Sequence, residues 1–168
     1  MLREVGARII RLGGTTTILG GAYLWYDYKS CHPMRKRVGN YDPTEALIRF
    51  HNTCVNRFIP PGLYPMISLK ELEQFNGTKG KPTFFSVGGT IYDVSSSDMF
   101  SSTYSQWAGK DATVALARMS MDPQDISRTD IWKSLSESDQ VSLKSWTDYF
   151  DEKYYIKGRL KEWVEDTK

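Results

Sequence analysis

Side chains able to do chemistry on their own are few in this sequence, and they are scattered. The two histidines, His32 and His51, both precede residue 60, so the longer C-terminal part has no Ser-His-Asp set. The two cysteines, Cys31 and Cys54, form no CxxC pair. One His and one Cys in Cys31-His32-Pro33-Met34 do not complete a metal shell, so this run reads as the polar exit from an apolar stretch. A Cys31–Cys54 bridge is open in an oxidising compartment, but two free thiols are expected. Gly88-Gly89 has the look of a turn rather than a phosphate cradle. The acids Asp122, Asp125, Asp130, Glu137 and Asp139 sit on loops and helix starts, where capping accounts for them. Asn76-Gly77-Thr78 is a formal glycosylation sequon that reads as a helix stop. No set of catalytic residues emerges, and the chain is not expected to be an enzyme.

These residues need elements to hold them, and the punctuation of the chain supplies those. Asp42-Pro43-Thr44-Glu45 is a helix start, and the helix should carry Ala46, Leu47, Phe50, Cys54 and Phe58 before stopping at Pro60-Pro61-Gly62. Ser68-Leu69-Lys70-Glu71 is a capping box opening a short helix that should end at Asn76-Gly77. Thr83 to Val87 and Thr90 to Val94, around two glycines, predict a tight β-hairpin. A Ser-rich loop follows, and Asp111 to Met121 is expected to be helical. Ser136, with Asp139 three residues on, starts the longest helix, with Leu143, Trp146 and Phe150 as its buried stripe. Lys153 to Leu160 reads as a closing strand. Short strands mixed with short helices indicate the α+β class.

The N-terminal part is different in kind. Residues 1–39 carry a net charge of +5 and the remainder −3. A mildly acidic body with a basic arm is not the footprint of a nucleic-acid binder. Arg3, Arg8 and Arg11 suit a mitochondrial targeting helix, and the uncharged Leu12–Tyr26 run, with Trp25, Tyr26 and Tyr28 as an interfacial belt, suits a membrane anchor. As a helix that run reaches only about 22 Å of the ~30 Å hydrocarbon core, so Arg8, Arg11 and Lys29 would have to snorkel. The expected organisation is a targeting or anchoring segment over 1–28, a basic connector and capped helix over 29–63, and a compact domain over 64–168.

Ile91-Tyr92-Asp93-Val94, Trp107-Ala108-Gly109-Lys110-Asp111-Ala112, Ala115-Leu116-Ala117, Leu135-Ser136, Trp146 and Lys153-Tyr154 follow one another in a recognisable order. Over roughly residues 66–160 the chain resembles the membrane-associated progesterone receptor family, a branch of the cytochrome b5-like fold. The resemblance implies a non-catalytic binding domain behind an N-terminal membrane anchor, with haem or a steroid-like molecule as ligand. Bis-histidine ligation within the domain is ruled out, since neither histidine lies in it. The family holds ferric haem through a tyrosinate instead, a hard anionic donor suited to ferric iron. Residue by residue, the resemblance makes Tyr104 the axial ligand, Tyr154 a hydrogen-bond donor to it and Lys153 its electrostatic support.

The family's loop before the ligand contains Gly, Pro and a second tyrosine. Here only Phe100-Ser101-Ser102-Thr103-Tyr104 remains, about three residues shorter, so that wall of the site must differ. The expected partners are a lipid bilayer and other membrane-protein subunits. The expected location is the mitochondrial inner membrane, with the endoplasmic reticulum as the other reading. The sixty extra N-terminal residues leave a second function open: an accessory structural subunit of a large respiratory complex whose b5-like domain has lost its haem.

Overall fold

A computed structural model describes residues 21–23, 25, 42–60 and 63–165. The chain divides into two compact units, Met1–Phe50 and His51–Lys168. In the first, residues 21–23 and 25 are helical, and the Tyr23 ring lies 4.8 Å from Phe50. The targeting pattern over 1–11, most of the Leu12–Tyr26 run and the basic connector over 29–41 lie outside the described residues. Among the described residues no helix is long and apolar enough to cross a membrane, so the expected anchor finds no support there.

Helix α1, Pro43–Phe58, begins where the capping signal places it. The Thr44 N–H donates to the Asp42 carboxylate at 2.7 Å, relieving one of the unpaired donors at the helix start. Cys54 in this helix is a free cysteine, and Cys31 lies outside the described residues.

The second unit is built on a four-stranded sheet in the order β1-β4-β3-β2. These strands are β1 (Met66–Ile67), β2 (Phe84–Val87), β3 (Thr90–Asp93) and β4 (Tyr155–Leu160). β2 and β3 form the expected hairpin, with Gly88 at φ 57° and Gly89 at φ 73°. Two successive positive φ values define a primed turn, which matches the twist of the strands it joins. β3 pairs antiparallel with β4, while β1 and β4 run parallel.

A bulge separates Ile91, opposite Gly158, from Tyr92, opposite Ile156. Lys157 is the extra residue on the bulged strand. It displaces the alternation by one, so Ile156 and Leu160 face different cores despite their even spacing. The main core gathers Phe85, Tyr92, Phe100, Trp107, Phe150 and Ile156; the smaller one gathers Leu72, Ile91 and Leu160.

The helices are α2 (Leu69–Leu72), α3 (Thr113–Ala117), α4 (Glu137–Lys153) and α5 (Lys161–Glu165). Ser68 and Glu71 exchange both bonds of a capping box, and those bonds with Lys161 hold the Glu71 carboxyl down at about 2. Ser136 and Asp139 exchange the two bonds of a capping box at the start of α4. Three expectations of extent fail. α2 stops at Leu72, because Asn76 leaves to bridge Thr83, and its side chain accepts from the Thr78 N–H and hydroxyl to make a turn. α3 covers only Thr113–Ala117: Ser120 N–H donates to Ala115 and Met119 N–H to Leu116, a C-terminal lock with Met119 at φ 52°. Lys153 ends α4 and Tyr154 caps it, so neither belongs to the strand.

Candidate functional site

The Ser-rich loop between β3 and α3 folds into two 3-10 turns, Asp98–Ser101 and Ser105–Trp107. The serines explain how it does so without Gly or Pro. The hydroxyls of Ser101 and Ser102 both donate to the Asp98 carbonyl, at 2.9 and 2.8 Å, and tighten the first turn. The Tyr104 N–H then donates to the Met99 carbonyl at 2.8 Å. Tyr104 is thereby set down on Trp107, their rings 4.6 Å apart and only 5° from parallel. Trp107 is buried and Tyr104 half-buried, so the phenol has one packed face. Among the described residues no hydrogen bond engages the Tyr104 hydroxyl. Exposed Met99 and Met121 flank this turn; Gln106 donates to the Met121 carbonyl at 3.2 Å.

Tyr104 and Tyr154 share one neighbour, the buried Phe100 ring, at 6.0 and 6.3 Å between centroids. Their hydroxyls are not joined. Tyr154 donates to the Ser97 hydroxyl at 3.1 Å, which departs from the expected bond to Tyr104. Lys153 is turned to the exposed face of α4, where its ammonium donates to the Tyr149 hydroxyl at 2.9 Å and lies 5.2 Å from that ring's centre. As a seat for a flat oxygen-ligated group such as haem, the site offers a phenol oxygen whose lone pairs have no partner among the described residues, on an aromatic backing and beside apolar neighbours. That part fits. The supporting pair does not point at the phenol in this structure.

Other polar residues are used up in construction. Asn52, nearly fully buried, donates to the carbonyls of Asp151 and Tyr154, each at 2.7 Å, and accepts from the Ile156 N–H at 3.0 Å. Tyr92 donates to the Asp151 carboxylate at 2.8 Å; burial, then that carboxylate, pushes the Tyr92 phenol well up. Burial also raises Asp151. His51 stands 3.4 Å from the Ile156 carbonyl and from the Tyr64 hydroxyl. Asp111 of the Trp-Ala-Gly-Lys-Asp-Ala run is fully buried and accepts from the Thr113 N–H and hydroxyl at 3.2 and 2.9 Å. Burial pushes its carboxyl up to about 6 in spite of those bonds. Among the described residues no group of three His, Cys, Asp or Glu side chains converges as metal ligands.

Nothing in the sequence pattern had drawn attention to a second concavity. It is a cleft of about 490 Å³ lined by Trp132, Leu135, Leu143, Lys144 and Trp163 among others, and it contains none of Tyr104, Lys153 or Tyr154. The only advance signal was two tryptophans in polar surroundings near the C-terminus.

Known proteins resemble this chain in sequence and fold. The family described as cytochrome b5-like heme/steroid binding domain matches residues 68–161. Membrane steroid-binding protein 2 of Oryza sativa subsp. japonica is 40% identical over 99 residues, covering 56% of this chain and 37% of that protein. Cytochrome P450 regulator dap1 of Schizosaccharomyces pombe is 34% identical over 98 residues, covering 54% and 59%. The chain thus spans between about a third and three fifths of the length of these relatives. A solved Arabidopsis thaliana protein, described as having a cytochrome b5 like fold, superposes with a TM-score of 0.52 at 33% identity over 58% of this chain and 91% of that one. With more than half its length matched, the chain belongs to the cytochrome b5-like heme/steroid-binding domain family, in its membrane-associated progesterone receptor branch.

Proposed function

We propose that this chain is a membrane-associated, non-catalytic binding domain that holds a flat apolar molecule, haem in the first place, through Tyr104. The observation that carries this reading is the Tyr104 phenol itself. It is stacked on buried Trp107, its hydroxyl unengaged among the described residues, inside the segment that matches the family. Bound ferric haem would supply a Lewis-acidic iron able to accept a phenolate. The protein's own contribution is to hold the phenol ring at one angle and to shelter one of its faces. Tyr154 serves first to tie the end of α4 to Ser97, and Lys153 pairs with Tyr149 along α4; each acts on a ligand only after leaving that partner. The steroid-binding name of the rice relative widens the ligand class to steroid-like molecules. Its membrane name, with the basic arm, supports placing this chain at a bilayer.

Titration of the full chain with ferric haem, followed by absorption spectroscopy, tests the proposal. A tyrosinate-type spectrum is expected, to be lost with at least tenfold weaker binding in Tyr104→Phe. Tyr154→Phe and Lys153→Ala should weaken binding by no more than about threefold, because both groups are engaged elsewhere. Equal haem spectra for the parent chain and Tyr104→Phe would end the reading.

A further inference from the structure

The cleft on the other part of the domain has the makings of a binding site in its own right. Gly88 at the hairpin turn, the Trp132–Ser134 turn, Trp163 of α5 and one face of α4 (Gln140, Leu143, Lys144 and Thr147) enclose it. Its volume of about 490 Å³ falls in the range of roughly 300–1,000 Å³ typical of small-molecule sites.

Its chemistry is uneven in a telling way. The floor is aromatic and aliphatic: Trp132 and Trp163 stack at 4.2 Å and 23°, beside Leu135 and Leu143. Among the described residues of the lining, the two charged ones, Lys133 and Lys144, are cationic. Lys133 lies 5.3 Å from the centre of the Trp132 ring, and Lys144 meets Asp148 at 2.6 Å on the exposed side of α4. That exposed pair is worth little and exchanges readily. Trp132 keeps its Nε1–H hidden from solvent with no hydrogen-bond partner among the described residues. A hidden donor left unpaired is an unfavourable arrangement.

We infer that this cleft binds an amphipathic carboxylate. An apolar tail would lie on the Trp132–Trp163 stack and Leu143, and the carboxylate would meet Lys133 and Lys144 at the rim. This site is separate from Tyr104 and does not depend on haem. Burial of the tail supplies the affinity, and the two ammonium groups select a charged head over a neutral one.

The probe is decanoate, kept below its micelle threshold, with decanol as its uncharged counterpart. Binding to the full chain is read by calorimetry and by the shifts of the indole N–H signals. We expect decanoate to shift the Trp132 and Trp163 signals and to bind at least tenfold more tightly than decanol. The double substitution Lys133→Gln, Lys144→Gln should remove that preference while decanol binding changes less than twofold. Thermal unfolding confirms that the variant folds, and single substitutions are used if it does not. Tyr104→Phe should leave decanoate binding unchanged, so loss of haem and loss of carboxylate are told apart. Absence of decanoate binding overturns the inference. So does a preference for decanoate that survives both lysine substitutions, or one that disappears in Tyr104→Phe.

Discussion

At the scale of single residues, the chemistry of this domain is set by which polar groups are already spoken for. Tyr104 has its hydroxyl to spare, Tyr154 does not, and Lys153 has turned to Tyr149. Asp111 is the most perturbed acid of the interior, and its titration has a definite sign. Its carboxyl sits at about 6 in the fold, against an ordinary 3.8. The folded chain therefore binds this proton more tightly than the unfolded chain does. The Asp111 contribution is complete below about pH 4 and is lost as pH rises through about 6. Asp111→Asn, followed by urea unfolding at several pH values, should remove this decline. Its stability relative to the parent is expected to grow by roughly 2–3 kcal/mol between pH 4 and pH 7.

At the scale of elements, two connections carry the fold. α1 is outside the matched family segment, yet its Asn52 ties the end of α4 to the start of β4. Asn52→Ala leaves three backbone groups without their partner, two of them in buried bonds, and should cost about 3 kcal/mol in denaturant unfolding. Arg159 adds to the same seam, donating to Asn56 at 2.6 Å and to the Thr90 hydroxyl. The second connection is the hairpin turn. The Gly88 N–H donates to the Thr113 hydroxyl at 2.9 Å, and that hydroxyl donates to Asp111, so turn and helix start are linked. A Cβ on Gly89 would overlap the Trp163 ring at a positive φ. Gly89→Ala should therefore lower stability by about 2–4 kcal/mol and loosen the Trp132–Trp163 stack, seen as a change in tryptophan fluorescence. Met119 presents the reverse case. It is exposed at φ 52° where glycine rests without strain, and Met119→Gly is expected to gain about 0.5–1 kcal/mol.

For the whole molecule, the second unit is a b5-like domain that has recruited part of a helix from beyond its family boundary. A chain beginning at residue 64 keeps the sheet but loses Asn52, Asn56 and the buried Val55. Its melting temperature should fall by roughly 10 °C, as a loss of about 3 kcal/mol implies for a domain near this size. Tyr104 and the Trp132–Trp163 cleft share no lining residue, so the molecule offers two candidate sites whose ligands can be varied independently.

Much of this was legible in the order of residues, because it is decided locally. Caps at Asp42, Ser68 and Ser136 and the Gly88-Gly89 turn depend on bonds within a few positions, and each forms where its signal stands. The family segment was legible too, since its motifs keep their order along the chain. Long-range contacts decided the rest. The bulge at Lys157 and the bond from Tyr154 to Ser97 depend on how distant segments pack. A hydroxyl's partner fifty-seven positions away leaves no trace in local spacing. A cleft shared by a turn, two helices and a hairpin exists only once tertiary packing has brought its walls together.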